Sequence, residues 1–147
     1  VIDYMQKLIP GLEPKLDNVE GLADQWESKL LKKTKEGQVQ VSLYHKGRFN
    51  ANGPVTDITI IFSGGHLPGT KEELLRYSDG LMRAAGYSPE EAQRIATTTW
   101  DMPNPEKDGK KIIRTYLQGG DYFTVVDCRE WDVPEVRLRT VPKGTAK

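Results

Sequence analysis

Between residues 70 and 100 the apolar positions recur every three or four residues, which is the spacing of one buried face of an α-helix. Thr70 and Ser88 are each followed three residues later by a glutamate, as in a capping box. Gly86 is placed to end the first helix in a left-handed conformation. The pattern therefore predicts two helices in tandem. Their core-facing residues are predicted to be Leu74, Leu75, Ser78, Leu81, Met82 and Ala85, and then Ala92, Ile95, Ala96 and Trp100.

Elsewhere apolar and polar residues alternate, which is the period of a half-buried strand. Residues 38–45 and 56–62 alternate on either side of a loop rich in glycine and asparagine, so they predict an antiparallel hairpin with a long connection. Residues 111–117 and 122–131 flank the Gly-Gly pair at 119–120, a two-residue loop that favours a primed turn.

The Gly-Gly turn also predicts the register of the second hairpin. It places Leu117 opposite Tyr122, Thr115 opposite Thr124 and Ile113 opposite Val126. One face then carries Ile113, Leu117, Tyr122 and Val126, and the other carries Ile112, Tyr116, Phe123 and Val125. Because both faces have apolar character, we expect this hairpin to lie inside a sheet or to have a partner on its second side.

Residues 17–33 admit two interpretations. Apolar residues recur at helical spacing here, which favours a helix running to about Lys33. The rival interpretation is a strand over residues 26–33 with a turn at residues 35–37.

These elements predict one α+β domain spanning residues 1–147. Its antiparallel sheet of four to five strands is formed by two hairpins with the helices packed on one face, in the order α-ββ-αα-ββ(β). The last, optional strand lies around residues 136–138. The apolar-periodic residues 2–9 fit either one or two helical turns or an N-terminal arm over residues 1–16, and residues 140–147 are predicted to form a flexible tail.

Composition narrows the function classes. The 21 basic and 21 acidic residues cancel, so the charge gives no reason to expect nucleic acid as a partner. No apolar run approaches the roughly 18–20 residues of a membrane span, so no transmembrane segment is expected. The chain begins at Val1 and not at methionine, which fits a trimmed chain or a mature product. Either a cytoplasmic protein or the mature part of an exported one is therefore consistent with the sequence.

The glycine-rich segment from Ser63 to Thr70 is the best candidate for a ligand site. It joins a strand to a helix, so backbone amides of Gly64 and Gly65 and the helix dipole near Thr70 could hold an anion, with His66 adding a charge or a proton. The segment lacks the spacing of a Walker loop or of a dinucleotide fingerprint. A strand-to-helix turn also needs flexible residues for structural reasons alone, and we favour that interpretation.

Other reactive side chains fit structural roles better than chemical ones. Cys128 could be a nucleophile with His45 or His66 as its base, but it alternates with apolar residues and is expected to pack in a core. One cysteine and two histidines make a zinc site improbable. The acidic residues of the second hairpin are expected to be solvated: Asp121, Asp127, Glu130 and Asp132. No catalytic residue, metal or cofactor is assigned.

Aromatic residues of the second hairpin support the leading hypothesis for function. If helices cover one face of the sheet, the other face would present Tyr116 and Phe123, with Trp131 nearby, and an exposed aromatic patch marks a contact surface. Aromatic residues in strands more often pack in a core. The sequence thus favours a non-catalytic protein-interaction module that binds another protein or a second copy. The alternative is a small-molecule or anion-binding protein that uses the loop at residues 64–70, with enzyme activity left open.

Overall fold

The structure, a computed structural model, describes residues 2–19, 25–46 and 54–146. Three helices and eight strands lie within these residues. In chain order they are α1 (Ile2–Leu8), β1 (Glu13–Val19), β2 (Gln25–Thr34), β3 (Gly37–Lys46), β4 (Val55–Gly64), α2 (Lys71–Ala84), α3 (Pro89–Trp100), β5 (Glu106–Asp108), β6 (Lys111–Gln118), β7 (Asp121–Cys128) and β8 (Glu135–Thr140). All eight strands form one antiparallel sheet in the order β1-β2-β3-β4-β8-β7-β6-β5.

The predicted sheet of four to five strands, and the order α-ββ-αα-ββ(β), are therefore wrong. Each half of the chain contributes four strands, and the two halves join where β4 pairs with β8. What the structure supports is an antiparallel α+β arrangement with a single, larger sheet.

Of the residues predicted as a helix, 17–33, those at 20–24 lie outside the described residues, and the rest belong to strands β1 and β2. The helix prediction is wrong for these, and the rival strand interpretation is the better one. Strand β2 pairs with β3 along its whole length, from Gln25 opposite Lys46 to Thr34 opposite Gly37. Strand β3 is buried in the sheet and needs hydrogen-bonding partners on both edges. This pairing outweighs the local helical spacing, as tertiary context commonly does.

The tandem helices are confirmed. The Thr70 hydroxyl accepts a hydrogen bond from the Glu73 amide at 3.1 Å and so caps α2. Ser88 and Glu91 form the full reciprocal capping box at the start of α3. Gly86 follows α2 with a φ of 97°, the left-handed conformation that glycine adopts without strain. None of the helices described has the length and apolar character needed to cross a membrane.

The helices pack on one face of the sheet and enclose the core there. From the helices the core includes Leu74, Leu81, Met82, Ala92, Ile95 and Ala96, and from the strands it includes Leu30, Val41, Leu43, Ile58, Ile60, Phe62, Phe123, Val125, Val136 and Leu138. Residues near the start of the chain, predicted as an arm, add Met5, Ile9 and Leu12 to this core. At the other end of the chain, in the predicted tail, the Lys143 amide donates to the Ala85 carbonyl.

The second hairpin has the register that the Gly-Gly turn predicts. Leu117 lies opposite Tyr122, Thr115 opposite Thr124 and Ile113 opposite Val126. Gly119 and Gly120 have φ angles of 60° and 84°, as a primed turn requires at both central residues.

Candidate functional site on the open face of the sheet

The sheet face opposite the helices, called here the open face, contains a depression of about 700 Å³. Its lining consists of residues from the six strands β2, β3, β4, β8, β7 and β6. These residues are mostly polar and alternate along their strands with the apolar residues that face the core, because side chains in a strand alternate between the two faces.

Cross-strand pairing arranges the lining in rows. The middle row, called the hydroxyl row, runs across five strands as Ser42, Thr59, Arg139, Thr124 and Thr115. Beside it the aliphatic row runs as Ile61, Arg137, Val126 and Ile113. On the other side Glu27, Tyr44 and Asp57 are neighbours on β2, β3 and β4 and form the acidic corner.

Several polar side chains of the open face are nearly removed from water. Ser42 is 3% exposed, and Asp57 and Thr124 are each 8% exposed. Such groups need hydrogen-bond partners to offset the cost of desolvation. The Gln40 amide donates to the Ser42 hydroxyl at 3.0 Å, and the hydroxyls of Thr115 and Thr124 lie 3.0 Å apart. The depression is therefore lined by fixed hydrogen-bonding groups.

Asp57 and Arg139 form the central ion pair. Arg139 donates from Nε to Asp57 Oδ2 at 2.6 Å, and a terminal nitrogen of its guanidinium lies 2.5 Å from the same oxygen. The Thr59 hydroxyl donates to the second oxygen, Oδ1, at 3.3 Å. The hydrogen bond with Asp57 raises the pKa of Arg139 above its ordinary value. The Arg139 guanidinium also lies 5.8 Å from the centre of the Tyr122 ring, within the range of a cation–π contact.

Tyr44 is held in its neutral form. Burial raises the pKa of its phenol above the ordinary value of 10, and the carboxylates of Glu27 and Asp57 raise it further, while Arg139 lowers it. A neutral phenol can both donate and accept a hydrogen bond. The acidic corner therefore offers both kinds of group to a ligand.

The charges of the lining balance. Glu27 and Asp57 are matched by Arg137 and Arg139. Outside the depression, Glu135 accepts a hydrogen bond from Arg137 Nε at 2.7 Å. Each guanidinium thus already has a carboxylate partner.

The aromatic residues singled out in the sequence lie elsewhere. Phe123 is fully buried beneath the helices, and Tyr116 is partly buried against the same core. The expectation that the helix-free face would present these two rings is wrong. The predicted register of the second hairpin is confirmed. Both faces of this hairpin carry apolar residues, however, so the sequence pattern does not indicate which face the helices cover. Trp131 lies in the β7–β8 loop and is 43% exposed.

The main-chain amides of the glycine-rich loop already donate hydrogen bonds within the protein. The amides of residues 64–67 all donate to main-chain carbonyls, to those of Pro134, Glu36, Ser63 and Gly64 in turn. The Thr70 hydroxyl caps α2, and His66 Nε2 lies 2.6 Å from the Thr34 hydroxyl. This geometry does not favour the anion site proposed for Gly64, Gly65, His66 and Thr70, because the donors it would use are engaged.

The remaining reactive candidates have structural surroundings. Cys128 is buried, and burial raises the pKa of its thiol, which disfavours the nucleophilic thiolate. Asp127 is buried and accepts hydrogen bonds from Arg129 Nε at 3.0 and 3.1 Å. His45 Nε2 lies 3.2 Å from the Ser28 hydroxyl. Among the residues described, no group of three or more histidine, cysteine, aspartate or glutamate side chains could hold a metal ion.

The sequence analysis missed the open face. Its signal was present as hydroxyl and arginine residues at the polar positions of alternating strands, including Ser42, Thr59 and Arg139. These residues indicate a site only when β4 is known to pair with β8, because this pairing places Thr59 beside Arg139.

Comparison of the chain with protein families, with curated proteins and with solved structures found no match.

Proposed function

We propose that this chain is a non-catalytic binding domain that holds a small polar molecule on the open face of its sheet. The observation that carries the proposal is a concave surface on the side away from the helices, whose lining includes buried, hydrogen-bonded polar side chains. Its volume of about 700 Å³ lies within the roughly 300–1,000 Å³ typical of small-molecule sites.

The state of the polar groups supports binding over catalysis. Asp57 is engaged by Arg139 and by Thr59, and Tyr44 stays neutral. The described lining contains no histidine, cysteine or lysine, which are frequent nucleophiles or proton carriers. Preformed hydrogen bonds also reduce the ordering that a ligand must impose on the site.

A blocking substitution tests this proposal. Thr59→Trp places a large ring in the middle of the hydroxyl row, and Thr98→Trp makes the same change at an exposed position on α3. Isotope-labelled protein is titrated with neutral, anionic and cationic small molecules while amide chemical shifts are followed. We expect shifts around the hydroxyl row that Thr59→Trp abolishes and Thr98→Trp retains. Equal binding by both variants, or no shifts on the open face with any probe, would show that the open face is not the site.

A protein-interaction module, with a second copy as the partner, is a second candidate, and the β7–β8 loop favours it. Trp131 is 43% exposed and Val133 is 70% exposed, and exposed apolar side chains that lie together mark contact surfaces. Sedimentation velocity at increasing concentration should show a dimer that Trp131→Ala weakens. A monomer at every concentration would exclude this candidate.

A further inference from the structure

We infer that the ligand of the open face is a neutral, polyhydroxylated molecule of the carbohydrate type. This inference rests on the proposed function and adds the chemical class of the ligand. It follows from three properties of the lining: its balanced charge, its density of hydroxyl groups, and the apolar row beside them.

The balanced charge disfavours ionic ligands. An anion would have to draw Arg139 from Asp57, and a cation would have to draw Asp57 from Arg139. Drawing Arg139 away would leave Asp57, whose side chain is only 12% exposed, as a nearly buried charge without its partner, and removing one partner of such a pair is costly. Drawing Asp57 away would break the hydrogen bonds that the carboxylate already accepts from Arg139 and Thr59. A zwitterion meets the same obstacle at both of its ends. A neutral ligand adds hydrogen bonds to the unused lone pairs and N–H groups and leaves the pair intact.

The hydroxyl groups suit a ligand that is itself made of hydroxyls. Six side chains of the lining carry one: Ser42, Tyr44, Thr59, Thr115, Tyr122 and Thr124. Each can donate one hydrogen bond and accept others. The planar groups of Asp57 and Arg139 lie among them and can each hydrogen-bond two neighbouring ligand hydroxyls. A purely apolar ligand would displace water from these groups and offer no hydrogen bond in return.

The aliphatic row provides an apolar surface that the C–H groups of a sugar can contact. Ile61, Val126 and Ile113 are two residues along their strands from the hydroxyl row, a separation of about 7 Å. A sugar ring has a polar rim of hydroxyls and an apolar surface of C–H groups. The rim can therefore contact the hydroxyl row while C–H groups pack on the aliphatic row and are removed from water.

Tyr122 also lines the depression, and hydrogen bonds fix its main chain. Its main-chain amide donates to the Tyr87 hydroxyl at 3.0 Å, and its carbonyl accepts from the Thr140 hydroxyl at 2.6 Å. An aromatic ring with a fixed backbone offers apolar contact area at small entropic cost. It adds a second apolar contact beside the polar groups.

The inference is tested with four classes of probe on the full chain. They are neutral saccharides (maltose, lactose, cellobiose and N,N′-diacetylchitobiose), zwitterions (glycylglycine and glutamine), anions (phosphate and citrate) and a cation (spermidine). Binding is measured by calorimetry and by amide chemical shifts. We expect at least one saccharide to bind at the hydroxyl row, with a dissociation constant unchanged between about 50 and 500 mM NaCl, because a neutral ligand is insensitive to ionic screening.

Matched threonine-to-valine variants sharpen the test. Thr59→Val removes one hydroxyl of the row at nearly constant volume and should weaken saccharide binding roughly fivefold, the effect of one hydrogen bond. Thr98→Val, on the exposed face of α3, should leave it unchanged. Binding of zwitterions, anions or the cation at the open face without any saccharide would overturn the inference and leave the proposed function standing. If no probe of any class shifts the open face, both fall.

Discussion

At the scale of single residues, close backbone contact explains the glycines Gly37 and Gly64, where β3 begins and β4 ends. Gly64 lies opposite Gly37 at the ends of β4 and β3. A Cβ atom on Gly64 would lie 2.6 Å from the Glu36 carbonyl oxygen, and its φ of +64° is one that other residues adopt with strain. A Cβ on Gly37 would lie 2.1 Å from the Ser63 carbonyl oxygen. These glycines allow two chain segments to approach each other, which is a structural role that the sequence analysis favoured.

We predict that Gly64→Ala lowers the free energy of unfolding by about 1–3 kcal/mol, because it adds strain at positive φ and a clash with Glu36. Gly69→Ala in the same loop is the matched control. A Cβ there meets nothing within 4 Å, so the change should stay within about 0.5 kcal/mol. Urea denaturation followed by circular dichroism measures both. Equal stability of the two variants would contradict the contact explanation.

At the scale of elements, the sequence was most informative where the signals are local. Helix caps, the Gly-Gly turn and the register of the second hairpin depend on residues a few positions apart, and these features are confirmed. The face of that hairpin covered by the helices depends on distant parts of the chain. Tyr122 and Phe123 are adjacent on β7 and point to opposite faces of the sheet. Because both are aromatic, the sequence does not indicate which of the two rings lies under the helices. The helix prediction failed at residues 25–33 for a similar reason, since pairing with the distant strand β3 decides their conformation.

The start of α3 and the segment after β8 are linked by an ion pair between Glu91 and Lys143. The hydrogen bond from Lys143, together with the one from the Ser88 amide, lowers the pKa of Glu91 from 4.5 to about 2. Because the folded-state pKa is the lower one, the carboxylate stabilises the fold above about pH 4.5, and this contribution disappears as the pH falls through about 2.

We therefore predict that Glu91→Gln is less stable than the unsubstituted chain near neutral pH, and that the difference shrinks as the pH is lowered from about 4.5 to about 2. Thermal unfolding across this range, with an NMR titration of the Glu91 carboxyl, measures the effect. Glu90→Gln removes a charge from the same helical turn and controls for the helix dipole. The same pH dependence in both variants would mean that the pair with Lys143 has no specific effect.

At the scale of the whole molecule, the fold depends on one long-range pairing. Strands β4 and β8 join the two four-stranded halves, from Ile58 opposite Thr140 to Ser63 opposite Glu135. About seventy residues separate these strands along the chain, so no local sequence pattern predicts their pairing. This pairing is what brings the two halves of the open face together. The polar residues of the site could therefore be read from the sequence, but their proximity in the fold could not be predicted. At the outer edge, the three residues of β5 are all charged and exposed, which discourages further pairing with other chains.

The ion pair between Asp57 and Arg139 crosses this junction, so its coupling energy reports on how firmly the halves are joined at the site. We predict a coupling of about 1–2 kcal/mol in a double-mutant cycle with Asp57→Asn and Arg139→Gln, because Arg139 makes a hydrogen bond and a second close contact to a carboxylate that is nearly buried. The pair of Glu135 and Arg137 on β8 is the control. Glu135 and Arg137 lie on the same strand and do not cross the junction, and Glu135 is more exposed than Asp57, so their coupling should be about 0–0.5 kcal/mol. Denaturant unfolding of the six variants (two single and one double for each pair) and of the unsubstituted chain gives both values. Similar couplings for the two pairs would show that Asp57 and Arg139 do not specifically hold the junction, and the fixed polar lining proposed for the ligand would then lose its main support.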